Sequence, residues 1–249
     1  MPISESTSSG VLASSEALIP MAGNTPKPFS FRDATRLQQS FTAAVERRSL
    51  AWLAARMPMW VHSDHLTLVG LVSMILAGAS YSLVRWNRAG LICATLFLAL
   101  NWFGDSLDGT LARFRNRQRP RYGFYVDHMI DMIGGLFLMG GLALSGLVDW
   151  RVALGMFISF LMLSIEVYLA TYTLGIFRLS FAGWGPTEIR LLLAVGNLAL
   201  WFNPAARVLG SPYRVLDVGG VIATLGMLFM LVVSAIQHTK TLYRQETLR

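Results

Sequence analysis

Six long apolar segments, separated by short polar breaks, fill most of this chain of 249 residues. Apolar side chains make up 54% of the sequence and charged ones only 14%, whereas soluble globular chains carry roughly 25% charge. A run of about 20 apolar residues is long enough to cross a bilayer as a helix. The pattern therefore predicts an all-α membrane protein with six transmembrane helices, and it argues against a soluble, fibrous or disordered chain.

The predicted spans form one domain, residues 59–249, and lie near 66–84, 89–112, 124–148, 152–174, 188–202 and 215–236. The fifth of them is the shortest. Residues 1–30 are rich in Ser, Thr, Pro and Gly, which predicts a disordered tail. Residues 31–58 combine basic and apolar side chains as far as Pro58, which predicts an amphipathic juxtamembrane helix on the membrane surface.

Positive charge is divided unequally between the two sides of the predicted bundle. With the N-terminus inside, sixteen of the 21 Lys and Arg residues lie on the inner side. Because cytoplasmic loops are enriched in these residues, both termini are expected to be cytoplasmic and the protein integral to the cell (inner) membrane. The net charge of +7 is expected to meet anionic headgroups or phosphorylated substrates. No basic stretch with interleaved aromatic residues indicates a nucleic-acid partner, and the single Cys93 excludes a disulfide framework.

Four of the fourteen acidic residues lie at the predicted cytoplasmic ends of the second and third spans. At 100° per residue, Asp105 and Asp108 share one face of the second helix. Asp127 and Asp131 share one face of the third. Because the second helix ends and the third begins on the same side of the membrane, the four carboxylates are expected to face each other at similar depth.

Four ionised carboxylates at a membrane boundary need compensating positive charge, since desolvation and mutual repulsion both disfavour them. Oxygen ligands without His or Cys select hard cations such as Mg²⁺ or Mn²⁺. Four carboxylates suit two divalent cations, an arrangement that stabilises the attacking and leaving oxygens of a phosphoryl displacement. The alternative is that these residues only cap helices and pair with the arginines of the following loop.

The same residues, with their small neighbours, resemble the motif of the CDP-alcohol phosphotransferase family, also called CDP-alcohol phosphatidyltransferases. That motif has two Asp three apart, then Gly, Ala and Arg, then Gly, Asp and Asp at spacings of four. All eight positions match, namely Asp105, Asp108, Gly109, Ala112, Arg113, Gly123, Asp127 and Asp131. The nine residues between Arg113 and Gly123 make this loop one residue longer than the family pattern.

This resemblance implies a membrane transferase that moves a substituted phosphate group from a CDP-alcohol to the hydroxyl of a second alcohol and releases CMP, in phospholipid biosynthesis. CDP-diacylglycerol is the expected donor. Glycerol phosphate, inositol phosphate and serine are open as acceptors, as is the reverse arrangement with the lipid on the acceptor. The implied site has all four aspartates as ligands of two cations, Asp131 also as the general base, and Gly109, Ala112, Arg113 and Gly123 around the CDP group.

Charged residues outside the motif are candidates for the acceptor side, namely Glu166, Arg178, Glu188 and Arg190. Glu166 lies in the middle of the fourth span, where an acidic residue is a functional candidate. The alternative for Glu166 is a buried hydrogen bond to His128 or Tyr172. The other three flank a turn rich in Gly and Pro, and would contact the acceptor or simply be solvated at the interface.

Two glycine pairs, 134–135 and 140–141, predict close helix packing, either inside the protomer or in a homodimer. Two other protein classes also fit an acidic cluster in a membrane. An intramembrane prenyltransferase binds diphosphate through Asp-rich helices with Mg²⁺, and a cation transporter binds its cargo there. Neither class requires Gly, Ala and Arg on the same helix face.

Overall fold

The computed structural model describes residues 35–37, 42–178, 185–203 and 214–246, with side chains omitted for 35–37 and 176–178. Within these ranges the chain forms seven α-helices and two short strands. The helices are α1 (Ala43–Arg56), α2 (Ser63–Leu83), α3 (Ala89–Phe114), α4 (Pro120–Leu144), α5 (Trp150–Leu174), α6 (Pro186–Phe202) and α7 (Val215–Gln245). The strands β1 (Thr35–Leu37) and β2 (Ile176–Arg178) pair in parallel. The tail predicted over residues 1–30 lies outside the described residues.

Five helices, α2, α3, α4, α5 and α7, are long and apolar enough to cross a membrane. The predicted boundaries of these spans lie within four residues of the helix ends, except that α7 continues nine residues beyond the predicted end at 236. The predicted fifth span coincides with α6, which has 17 residues and is shorter than the roughly 20 of an ordinary span. The described part of the chain is therefore helical apart from one short strand pair, and its five long apolar helices indicate an integral membrane protein.

The helix predicted over residues 31–58 is shorter than expected. It begins at Ala43, and Thr35–Leu37 form strand β1 instead. The strand satisfies its backbone hydrogen bonds against β2, a segment distant along the chain, and local periodicity gives no sign of such a partner. At the other end α1 stops at Arg56, just before Pro58, as the sequence predicts.

A glycine contact brings α2 and α4 into close approach. A Cβ atom built on Gly141 would lie 1.9 Å from the carbonyl oxygen of Gly78, so the two backbones touch. A Cβ atom on Gly140 would meet no atom of the described residues within 4 Å outside its own helix turn. The close packing predicted for the pair 140–141 is therefore confirmed within the protomer, and it depends on Gly141.

A buried chain of hydrogen bonds joins α2, α6 and α3. The Tyr81 hydroxyl donates to Asn197 Oδ1 at 2.9 Å, and Asn197 Nδ2 donates to Thr95 Oγ1 at 3.0 Å. Replacing Tyr81 by Phe leaves the Asn197 carbonyl without its donor, and we expect a loss of about 1–3 kcal/mol in stability. Thermal unfolding of the purified protein in detergent should show a lower Tm. Tyr243→Phe, at an exposed position, is the matched control; equal Tm values for both variants would contradict the contribution of this chain.

Candidate active site

The four predicted aspartates converge on one small cavity between α2, α3 and α4. Its lining consists of Asp105, Asp108, Asp127 and Asp131 with Thr67, Gly70, Met74, Asn101 and Ile130. The cavity volume is about 10 Å³, which is the space of one water molecule or one ion. The facing arrangement expected from helix periodicity is therefore present.

Contacts with α2 hold Asp108 in place. Thr67 Oγ1 donates to Asp108 Oδ2 at 2.6 Å, the backbone N–H of Gly109 donates to Oδ1, and Ser63 Oγ donates to the Asp108 carbonyl at 3.0 Å. A Cβ atom on Gly104 would lie 2.6 Å from a carbonyl oxygen of α2, so α3 passes directly over that helix. Close backbone packing thus places the buried Asp108 within reach of two hydroxyl side chains of α2.

The guanidinium group of Arg190 lies beside one of the four carboxylates, that of Asp105. Arg190, near the start of α6, donates through Nη2 to Asp105 Oδ2 at 2.6 Å, and the two side chains are only 13% and 24% exposed. Asp131 faces this ion pair as well as Asp127 and Asp108. Within the described ranges, Asp131 itself forms no hydrogen bond or salt bridge. Arg190 is therefore the one acceptor-side candidate that the fold brings to the aspartates among the side chains described.

The other acceptor-side candidates make different contacts. Glu166 Oε1 pairs with His238 Nδ1 of α7 at 2.6 Å, so the predicted partners His128 and Tyr172 are wrong. The contact arises because α7 packs along α5, which the sequence alone does not indicate. Glu188 accepts hydrogen bonds from the backbone and hydroxyl of Thr42 and from the backbone N–H of Gly185. The Arg178 side chain lies outside the described residues.

The remaining motif residues lie along α3 and at the start of α4. A Cβ atom on Gly109 would lie 3.4 Å from Arg113 Nη1, so this arginine reaches back over the glycine. A second cavity of about 390 Å³ opens beside Ala112. Its other lining residues are His62, Ser63, Asp64, Leu111, Arg115, Arg117, Gln118 and Arg119. A Cβ atom on Gly123 would have no neighbour within 4 Å in the part of the chain that the structure describes, apart from its own helix turn.

Asn101 is a site residue that the sequence analysis missed. Its Nδ2 donates to the Gly70 carbonyl at 2.9 Å, while its buried Oδ1 has no hydrogen-bond partner in the described part of the chain. Asn101 lines the same cavity as the four carboxylates, one helical turn before Asp105. The sequence contained one sign of this role, because Asn101 is a polar residue inside the apolar run of the second span.

The four carboxylates around this cavity fit a hard divalent cation, since their donor atoms are oxygen and one buried amide oxygen nearby lacks a partner in the described part of the chain. Among the described residues, no three acidic or imidazole side chains are already grouped as a ligand set. The reason is visible in the contacts, because Asp105 is turned toward Arg190 and Asp108 toward Thr67. Cation binding at this cavity would require these carboxylates to exchange partners.

Comparison with known proteins gives two findings. Residues 60–236 match a family model described as CDP-alcohol phosphatidyltransferase, and these residues include the whole aspartate motif. An archaetidylinositol phosphate synthase of Pyrococcus horikoshii is 35% identical over 89 residues, a match that covers 36% of this chain. The chain spans 44% of the length of that curated relative.

Proposed function

Because the chain belongs to the CDP-alcohol phosphatidyltransferase family, we propose that it transfers a phosphatidyl group, a substituted phosphate, from a CDP-alcohol to the hydroxyl of a second alcohol. CMP is released, and the product is a phospholipid or its precursor. The observation that carries this proposal is the convergence of four aspartates on one cavity. The family match favours this reaction over an intramembrane prenyltransferase or a cation transporter.

We assign Asp105, Asp108, Asp127 and Asp131 as the ligands of two divalent cations, Mg²⁺ or Mn²⁺. When bound, such cations neutralise the diphosphate and stabilise the leaving phosphate oxygen. The carboxylate oxygens around the cavity and the unpaired amide oxygen of Asn101 support a hard cation there, and a second cation would require the carboxylates to move apart.

Asp131 is assigned as the general base. The acceptor hydroxyl gives its proton to this carboxylate while its oxygen attacks the phosphorus distal to cytidine. The bond between that phosphorus and the bridging oxygen breaks, and CMP leaves with the electron pair. Support comes from the position of Asp131, which faces the other three carboxylates and has no hydrogen-bonding partner in the described ranges.

Gly109, Ala112, Arg113 and Gly123 are assigned to the CDP group. The cavity of about 390 Å³ beside Ala112 supplies space for part of a nucleotide, and Ser63, which lines it, contacts the Asp108 carbonyl oxygen. Arg113 reaches over Gly109, so a Cβ atom at that position would contact the guanidinium. A guanidinium suits diphosphate oxygens because it can donate two parallel hydrogen bonds.

CDP-diacylglycerol is the proposed donor, and an alcohol that carries an anionic group is the proposed acceptor. Arg190 supports this choice, because it alone among the described candidates brings a positive charge to the aspartates. Arg178 stays an acceptor-side proposal with it. Glu166 and Glu188 are less suited, since their carboxylates already bind His238 and Thr42. The name of the curated relative makes inositol phosphate the first acceptor to test.

We propose that α6 is a sixth span and that residues 59–249 form the catalytic domain in the cell membrane. α1 is assigned as the juxtamembrane helix, since it exposes Val45 and Trp52 beside the basic Arg48. The unequal charge distribution supports cytoplasmic termini and a cytoplasmic site. A homodimer is also proposed, and chemical cross-linking of the protein in native membranes would test it.

The test is CMP release by the purified full chain in detergent. We expect release from CDP-diacylglycerol with Mn²⁺ or Mg²⁺ and one acceptor among inositol phosphate, glycerol phosphate, inositol and serine. Chelation with EDTA should abolish the release of CMP, and added Mn²⁺ or Mg²⁺ should restore it, because the four carboxylates need a divalent cation to offset their negative charge before they can bind a diphosphate. The absence of CMP from every CDP-alcohol and acceptor would refute the transferase. Full activity in EDTA would refute the cation assignment alone.

A further inference from the structure

Glu46 of α1 is a buried carboxylate lying between two other helices. Its Oε1 accepts hydrogen bonds from Trp102 Nε1 at 3.0 Å, Ser106 Oγ at 3.2 Å and Thr187 Oγ1 at 2.9 Å. Glu46 is only 8% exposed, and its Oε2 has no partner among the described residues. The side chain therefore links α3 to α6 through one oxygen atom.

This link lies next to the aspartate cavity. Ser106 follows Asp105 directly, and Thr187 precedes Arg190 by three residues, which is about one helical turn on the same side of α6. Two neighbouring connections therefore join α3 to α6. One is the Asp105–Arg190 ion pair at 2.6 Å, and the other passes from Ser106 through Glu46 to Thr187.

A buried carboxylate with only neutral donors is a costly way to join two helices, because apolar packing avoids the desolvation penalty. Hydrogen bonds are directional, however, and they fix the rotation of a helix as well as its distance. Rotation of α6 by one residue would turn Arg190 by about 100° away from its present direction. A second contact from α1, the Thr42 hydroxyl on Glu188 at 2.6 Å, restrains the same helical turn.

We propose that Glu46 is a positioning residue that holds α6 at the rotation where Arg190 covers Asp105. The inference rests on the proposed function, since it takes Asp105 as part of the cation site. The guanidinium and a divalent cation compete for the same carboxylate. Glu46 therefore sets, through Arg190, how tightly the site takes up a cation.

The test combines Mn²⁺ binding, measured by electron paramagnetic resonance on the full chain in detergent, with hydrogen exchange of the first turns of α6. Arg190→Gln should tighten Mn²⁺ binding about tenfold, because a competing charge is removed. Glu46→Leu should tighten it several-fold and speed exchange over residues 186–192. The double variant should bind no more tightly than Arg190→Gln alone, because Glu46 acts through Arg190.

Three further variants guard against a general loss of structure. Glu46→Gln keeps an acceptor oxygen and should behave like the wild type, while Thr187→Val should reproduce the faster exchange of Glu46→Leu. Arg48→Gln, on the exposed side of α1, should change neither measurement.

Several results would overturn the inference. One is weaker Mn²⁺ binding by Glu46→Leu than by the wild type. Another is a double variant whose gain in Mn²⁺ affinity equals the sum of the gains of the two single variants. The third is unchanged hydrogen exchange in α6 of Glu46→Leu. If neither the wild type nor Arg190→Gln binds Mn²⁺, the proposed cation-dependent function fails instead. The exchange data would then still decide whether Glu46 holds α6.

Discussion

Asp131→Asn should lower the rate of CMP release by about 10²–10⁴-fold, the range typical of a lost general base. The amide has nearly the shape of the carboxylate but cannot take up the proton of the acceptor hydroxyl. Asp131 forms no hydrogen bond or salt bridge within the described ranges, so the variant loses no described contact that would support folding. The effect should therefore lie in turnover at saturating acceptor, with Tm nearly unchanged.

Mn²⁺ binding by the same preparation separates the two roles assigned to Asp131. If Asp131→Asn binds Mn²⁺ more weakly and regains turnover at high Mn²⁺, Asp131 is a cation ligand alone. If its turnover stays low when the cation site is fully occupied, Asp131 is the general base. Asp149→Asn is the matched control, because Asp149 caps α5 through the Arg151 backbone N–H at 2.8 Å and Asn caps helices equally well. Full turnover by Asp131→Asn would remove this residue from the mechanism.

Gly141→Ala is expected to destabilise the protein by about 1–3 kcal/mol or more. The added methyl group would lie 1.9 Å from the carbonyl oxygen of Gly78. The oxygen is a backbone atom of α2, and the methyl carbon is attached directly to the backbone of α4. Neither can rotate away as a side chain does, so α2 and α4 must separate. We expect a lower Tm and a lower yield of folded protein, with reduced activity because the two helices also carry Thr67 and Asp131.

Gly140→Ala provides the control, since it adds the same methyl group one residue earlier on the same helix. Among the described residues, no atom outside the local helix backbone lies within 4 Å of the new position, and Ala favours a helix over Gly by about 1 kcal/mol. Its Tm should match or exceed that of the wild type. Equal destabilisation by the two changes would contradict the close crossing of α2 and α4. A large loss with Gly140→Ala alone would indicate a contact between protomers there.

Helix positions and the meeting of the aspartates could be predicted because both follow from local rules. Apolar length sets a span, and 100° per residue assigns Asp105 and Asp108 to one face. Chain reversal between two neighbouring spans then brings Asp127 and Asp131 opposite them. The prediction needed no knowledge of which other helices touch, and the cavity lined by all four residues agrees with it.

Contacts between elements distant in the chain could not be predicted in the same way. The partner of Glu166 is His238, 72 residues later, and the partner of Asp105 is Arg190, 85 residues later. Each pairing depends on how α6 and α7 rotate and pack, which apolar periodicity leaves undetermined in a helix surrounded by lipid. Strand β1 is missed for the same reason, because its only described partner is β2.

Arg115 places a fixed positive charge beside the larger cavity. Its guanidinium donates to the carbonyl oxygens of Met57 and Pro58 at 2.9 Å, and also to that of Val61. These acceptors are neutral, so they fix the arginine without cancelling its charge. A rigid positive potential at a cavity mouth attracts anions from a distance and weakens as salt is added. The rate at which the proposed CDP-alcohol donor reaches this cavity should therefore fall as ionic strength rises.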